Sequence, residues 1–148
     1  MLLSGPDRPM ALPSVDDPQS LRRALVAYVH EVAASVGVSV ACTSCEVADT
    51  VTAYVALNGR SPRFPGRDLM LLWSARQGWT LSVETAPAES PLVVARLGGD
   101  LTPVPDRVRR FVTETLGAPD DVRPAIPVQA VRDHSELRER LEACVRRS

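Results

Sequence analysis

The sequence predicts an α+β domain: one antiparallel sheet of four to five strands with helices packed on one face. Three observations carry this expectation. Apolar residues recur at helical spacing from Asp17 to Val36. The period falls to two between Cys42 and Leu97, and helical spacing returns after Gly98-Gly99. The connections within the period-two region are short, which suits antiparallel neighbours, because parallel strands need long crossovers.

The first helix starts at Asp17-Pro18, an N-cap residue followed by a proline that tolerates the first helical position. Leu21, Leu25, Tyr28, Val29, Val32 and Val36 form its apolar stripe, and Gly37 is placed to stop it. His30 points away from that stripe and reads as a solvated surface residue. Cys45 to Ala48 makes a short strand, and Val51, Ala53, Val55 and Leu57 alternate along a stronger one. Asn58-Gly59 opens a long connection, GRSPRFPGR, that its prolines and glycines keep irregular.

A hairpin follows in RDLMLLWSARQGWTLSVETA, which holds both tryptophans, Trp73 and Trp79. A two-residue loop at Arg76-Gln77 would throw the apolar residues of the two strands onto opposite faces. A loop of Arg76-Gln77-Gly78, with Gly78 left-handed, pairs Ala75 with Trp79, Trp73 with Leu81, Leu71 with Val83 and Leu69 with Thr85. Both tryptophans then lie on the core face, where burying each ring contributes roughly 2–3 kcal/mol. The reverse face carries Met70, Leu72 and Ser74 beside Thr80, Ser82 and Glu84, a mixed surface that suits a neighbour. Pro91 to Leu97 supplies a further strand.

The second helix runs from about Val104 to Leu116, with Val104, Val108, Phe111 and Val112 on one side and Gly117 at its end. The last begins at Asp133, where Asp133 and Glu136 have capping-box spacing, and Leu137, Leu141, Cys144 and Val145 form a narrow seam. The expected organisation is a leader at 1–16, a core domain at 17–117, a proline-rich linker at 118–132 and an amphipathic C-terminal helix at 133–148.

Composition limits function more than it defines it. All 17 basic residues are arginine, a bias that fits a high-GC genome rather than a set of arginine-built sites. The net charge of −1 gives no global field toward nucleic acid or an anionic membrane. No apolar run approaches the roughly 20 residues that span a bilayer, and the N-terminal segment lacks the features of a secretory signal. Three cysteines argue against a disulfide framework, so cytoplasmic residence is expected.

Several constellations could carry chemistry. Cys42-Thr43-Ser44-Cys45 has CxxC spacing, but a structural zinc site needs four ligands, and only Cys144, His30 and His134 could complete one. A redox pair of this kind would sit at a helix start, whereas this one precedes a strand. No metal or cofactor is expected. Glu46, Asp49 and Glu84 could serve as an acid–base or cation-binding cluster if they converged. Arg60, Arg63 and Arg67 surround Phe64 in the long loop, an arrangement able to grip phosphate, nucleic acid or an acidic partner. No phosphate-binding glycine loop and no nucleophile elbow occur.

The runs SCEVADTVTAYVALNG, RDLMLLWSARQGWTLSVETAP and LVVARLGGDLTPVPDRVRRFV together resemble a family of small uncharacterised actinobacterial proteins, over about residues 18–117. The resemblance implies a domain of unknown function and brings no activity with it. The expected role is a non-enzymatic binding or regulatory module for a protein partner, a second copy of itself as a homodimer, or a small ligand. Binding would use Met70, Leu72, Ser82 and Glu84, or Arg60, Arg63, Phe64 and Arg67. A small enzyme using the sheet carboxylates is the competing class; nucleic-acid binding through the arginine loop is disfavoured.

Overall fold

The computed structural model describes residues 18–57, 67–84, 92–117 and 127–147. Helix α1 (Pro18–Val36) leads through a single 3₁₀ turn (Val40–Cys42) into five strands: β1 (Thr43–Val47), β2 (Val51–Ala56), β3 (Leu69–Ser74), β4 (Gly78–Val83) and β5 (Leu92–Arg96). Helices α2 (Pro105–Gly117) and α3 (His134–Arg147) complete the order. The strands form one sheet in sequential order β1-β2-β3-β4-β5, and every pairing is antiparallel. This is the α+β architecture the hydrophobic periods predict. The Asp17 cap lies outside the described residues.

Alternation decides which face meets the helices. Along β2, Val51, Ala53 and Val55 are buried while Thr52, Tyr54 and Ala56 are only partly covered. The inner residues join Trp73, Leu71, Trp79 and Leu81 in a core closed by α1 through Leu21, Leu25, Tyr28, Val29 and Val32. Helix α2 contributes Val108 and Phe111; Val104, expected on that stripe, sits just ahead of the helix and is exposed. Helix α3 packs on α1 and brings Leu137, Leu141 and Cys144 fully into the same core. Helices α1, α2 and α3 and the sheet therefore share one hydrophobic interior.

The hairpin register differs from expectation by two residues. Trp73 faces Trp79, Leu71 faces Leu81, Leu69 faces Val83 and Ser74 faces Gly78. Ala75, Arg76 and Gln77 form the turn, and the Ser74 hydroxyl accepts the Gln77 N–H at 3.0 Å. Gly78 is left-handed, at φ 70°, as expected. A shift of two leaves every side chain on its own face, so period-two alternation cannot distinguish the two registers. At β5 an extra residue, Val94, enters between the pairs Leu81–Ala95 and Ser82–Val93, forming a bulge.

Buried polar groups in the core converge on one short stretch of backbone. Trp73 Nε1 donates to the Leu101 carbonyl at 2.9 Å, Cys144 Sγ donates to the Thr102 carbonyl at 2.7 Å, and the Tyr28 hydroxyl donates to the Pro103 carbonyl at 2.5 Å. Tyr28 also accepts from Trp79 Nε1 at 3.0 Å, so both indoles are satisfied. Burial pushes the Tyr28 phenol far above its ordinary value, with a smaller opposing effect from the Trp79 hydrogen bond. At the start of α3 the Asp133 carboxylate accepts the Glu136 N–H at 2.9 Å, while Glu136 reaches back to the Arg132 N–H at 2.7 Å. The expected reciprocal cap forms with its return bond one residue early. The 127–131 segment runs beside Gly99, exchanging hydrogen bonds from Gly99 N to Pro127 O and from Gln129 N to Gly99 O.

Candidate functional site: the outer face of the sheet

The described helices cover one side of the sheet, and strand register lays the other side out in rows. One row runs Glu46, Thr52, Ser74, Gly78 across β1 to β4. The next runs Ser44, Tyr54, Leu72, Thr80, Arg96 across all five strands. A third runs Ala56, Met70, Ser82, Val93 from β2 to β5. A hollow of about 630 Å³ lies over these rows, lined by Ser44, Glu46, Thr52, Tyr54, Leu72 and Ser82 among others. Such a volume is in the range of small-molecule sites. A second hollow, about 340 Å³, lies between α1 and α3.

Most of this surface is hydroxyl and apolar. Thr80 and Ser82 are buried although they point outward, and β4 is covered along both faces. Thr80 Oγ1 makes a long 3.4 Å bond to the Leu72 carbonyl across the strand pair. Ser82 Oγ is fully buried and has no hydrogen-bond partner among the described residues. Leaving a buried hydroxyl unpaired costs about 1–3 kcal/mol. Tyr54 is partly covered, and its phenol is raised above its usual range by burial first, then by the negative charges of Glu84 and Asp68.

The structure brings some of the expected site residues together and separates others. Met70 and Ser82 face each other across β3 and β4, and Leu72 lies one row away beside Thr80. Glu84 is exposed just past β4, where its carbonyl accepts from Arg67 at 3.2 Å. Arg60, Arg63 and Phe64 lie outside the described residues. Glu46 is exposed on β1 and Asp49 sits in the β1–β2 turn. Glu46 and Glu84 are separated by three strand spacings across and six residues along the sheet, roughly 24 Å, so these carboxylates are not brought into one ligand shell. Among the described residues, no group of three His, Cys, Asp or Glu side chains is placed to hold a metal ion. Cys42 and Cys45 are partly exposed free thiols, and burial raises the Cys45 thiol against the opposing charge of Arg22.

Ser44, Thr52 and Tyr54 share the hollow, and the hairpin alone did not reveal them. Their signal is the same alternation read on the neighbouring strands: each occupies an outward position beside a core residue of β1 or β2.

The fold and this face define an α+β domain with a helix-backed antiparallel sheet and a mixed outer face. The chain belongs to a family of unknown function (DUF6292), whose sequence pattern matches residues 28–114. No curated protein and no solved structure gives a match.

Proposed function

We propose that this protein is a non-enzymatic binding or regulatory module, and that the outer face of its sheet is where it binds. The observation supporting this is the hollow of about 630 Å³ over residues that alternation leaves free of the core. Its lining joins an apolar floor at Tyr54 and Leu72 to hydroxyls at Ser44, Thr52, Thr80 and Ser82, a combination that suits recognition of a small molecule. An odd number of cysteines suits a reducing compartment and so supports cytoplasmic residence, and the lysine-free composition supports an actinobacterial source. Among the described residues, no helix is long and apolar enough to cross a membrane. The test is an amide-resolved NMR titration with a fragment mixture. Binding predicts shifts clustered at Ser44, Tyr54, Leu72, Thr80 and Ser82; shifts scattered over the helices, or none, would refute it.

One observation favours self-association as a second reading. Leu92 and Val93 are 47% and 40% exposed on β5, an edge strand. Exposed apolar edges invite pairing with another strand. A homodimer through β5 predicts twice the chain mass in light scattering and loss of the dimer in Val93→Lys; a monomer at all concentrations excludes it.

A further inference from the structure

The charge and shape of the hollow point to the class of molecule it takes, an inference that rests on the binding role proposed above. We infer that the outer face binds an elongated organic molecule with a positive group at one end, an apolar middle and a polar atom at the other end. Among the described residues lining the hollow, Glu46 is the only formally charged one. It is exposed and ready to meet a cation without displacing a partner from the core. The Tyr54 phenol in the middle of the face also feels the negative charges of Glu84 and Asp68. The nearest described cation on this face, Arg96, stands on β5, four strand spacings from β1 and therefore roughly 19 Å from Glu46. That exceeds the ~8–10 Å over which exposed charges act at ordinary salt.

The middle of the site is Tyr54 beside Leu72, directly paired across β2 and β3. An aromatic ring flanked by an aliphatic side chain accepts a planar or alkyl body, and its face attracts a cation. The far end is set by Ser82, fully buried at the floor of the hollow and unpaired among the described residues. A ligand atom able to hydrogen-bond there removes the cost of the orphaned hydroxyl. From Glu46 to Ser82 the face spans three strand spacings across and four residues along the strand, together roughly 19 Å, the length of a ligand that engages both ends. Anions are disfavoured by the same carboxylates.

The test compares three fluorescent probes of similar size and different charge on the full chain at low salt. These are cationic thioflavin T, neutral N-phenyl-1-naphthylamine and anionic 8-anilinonaphthalene-1-sulfonate. The cationic and neutral probes are expected to bind and the anionic probe to bind weakest. Glu46→Gln should weaken the cationic probe about three- to five-fold, the size of an exposed ion pair, and leave the neutral one unchanged. Tyr54→Ala should weaken both; Glu46 and Tyr54 are not fully buried, so both variants should keep the fold. If the anionic probe binds as well as the cationic one, or Glu46→Gln changes nothing, the charge assignment fails while the binding role stands. If none of the probes binds, both fail.

Discussion

Replacing Tyr28 by Phe should cost about 2–4 kcal/mol of stability. The Tyr28 hydroxyl is the middle of a buried chain, accepting from Trp79 Nε1 at 3.0 Å and donating to the Pro103 carbonyl at 2.5 Å. Tyr28 is 0% exposed and Trp79 is 1% exposed, so water cannot replace the lost oxygen without opening the core. The substitution strands one donor and one acceptor, each at about 1–3 kcal/mol, less a small gain from a more apolar ring. Small domains have total stabilities of roughly 5–15 kcal/mol, so the loss is a large fraction. At about 4 °C per kcal/mol for a chain of this size, the melting temperature should fall by roughly 10 °C. Urea unfolding followed by tryptophan emission measures it directly, because Trp79 is one of the bonded groups. Pairing Tyr28→Phe with Trp79→Phe should show a coupling of about 1 kcal/mol, since the stranded indole N–H is then absent. A single-variant loss below about 0.5 kcal/mol would refute the argument that this hydroxyl is needed by both neighbours.

Four further outcomes follow from the same structure. Leu141→Ala on α3 should cost about 2–5 kcal/mol in urea unfolding, because Leu141 is 0% exposed in the shared core; a loss below ~1 kcal/mol would show α3 to be dispensable. Gly78→Ala should cost about 1–2 kcal/mol by the same assay, since φ is 70°, a conformation that an L side chain strains. In native buffer an aromatic disulfide reagent should titrate Cys42 and Cys45 promptly but Cys144 only at the rate of opening, because Cys144 alone of the three is buried. Stability should fall in alkali: burial raises the folded Tyr28 pKa, so its contribution is complete below the unfolded value of about 10 and declines above it, by ~1.4 kcal/mol per pH unit. Denaturant midpoints equal at about pH 9 and pH 11 would contradict that.

The architecture was legible because each element carries its own period. The α1 stripe and the alternation of β2 each point to one buried face, and a single meander satisfies both. Register was less legible. Gly78 had to be left-handed, yet its place inside β4, opposite Ser74, depends on the Ser74 hydroxyl closing the turn, which alternation does not encode. The polar network was not legible at all: Tyr28, Trp73 and Cys144 look like stripe residues in sequence, and their acceptors are backbone carbonyls with no side-chain signature. For the candidate site, the hairpin alone marked Leu72 and Ser82 as outward. Tyr54 and Glu46 joined them only once the order of the strands was known, because lateral neighbours in a sheet are set by topology rather than by proximity along the chain.

The three carbonyls of residues 101–103 place an unequal burden on evolution. Any amino acid carries a main-chain carbonyl, so Leu101, Thr102 and Pro103 can change as far as packing allows without loss of an acceptor. The donors have no such freedom: at positions 28, 73 and 144 only a few side chains present an N–H, O–H or S–H at the required reach. Selection on this network therefore falls on residues far from the bend that the network holds in place. Drift within the bend itself passes unnoticed so long as the backbone keeps its course.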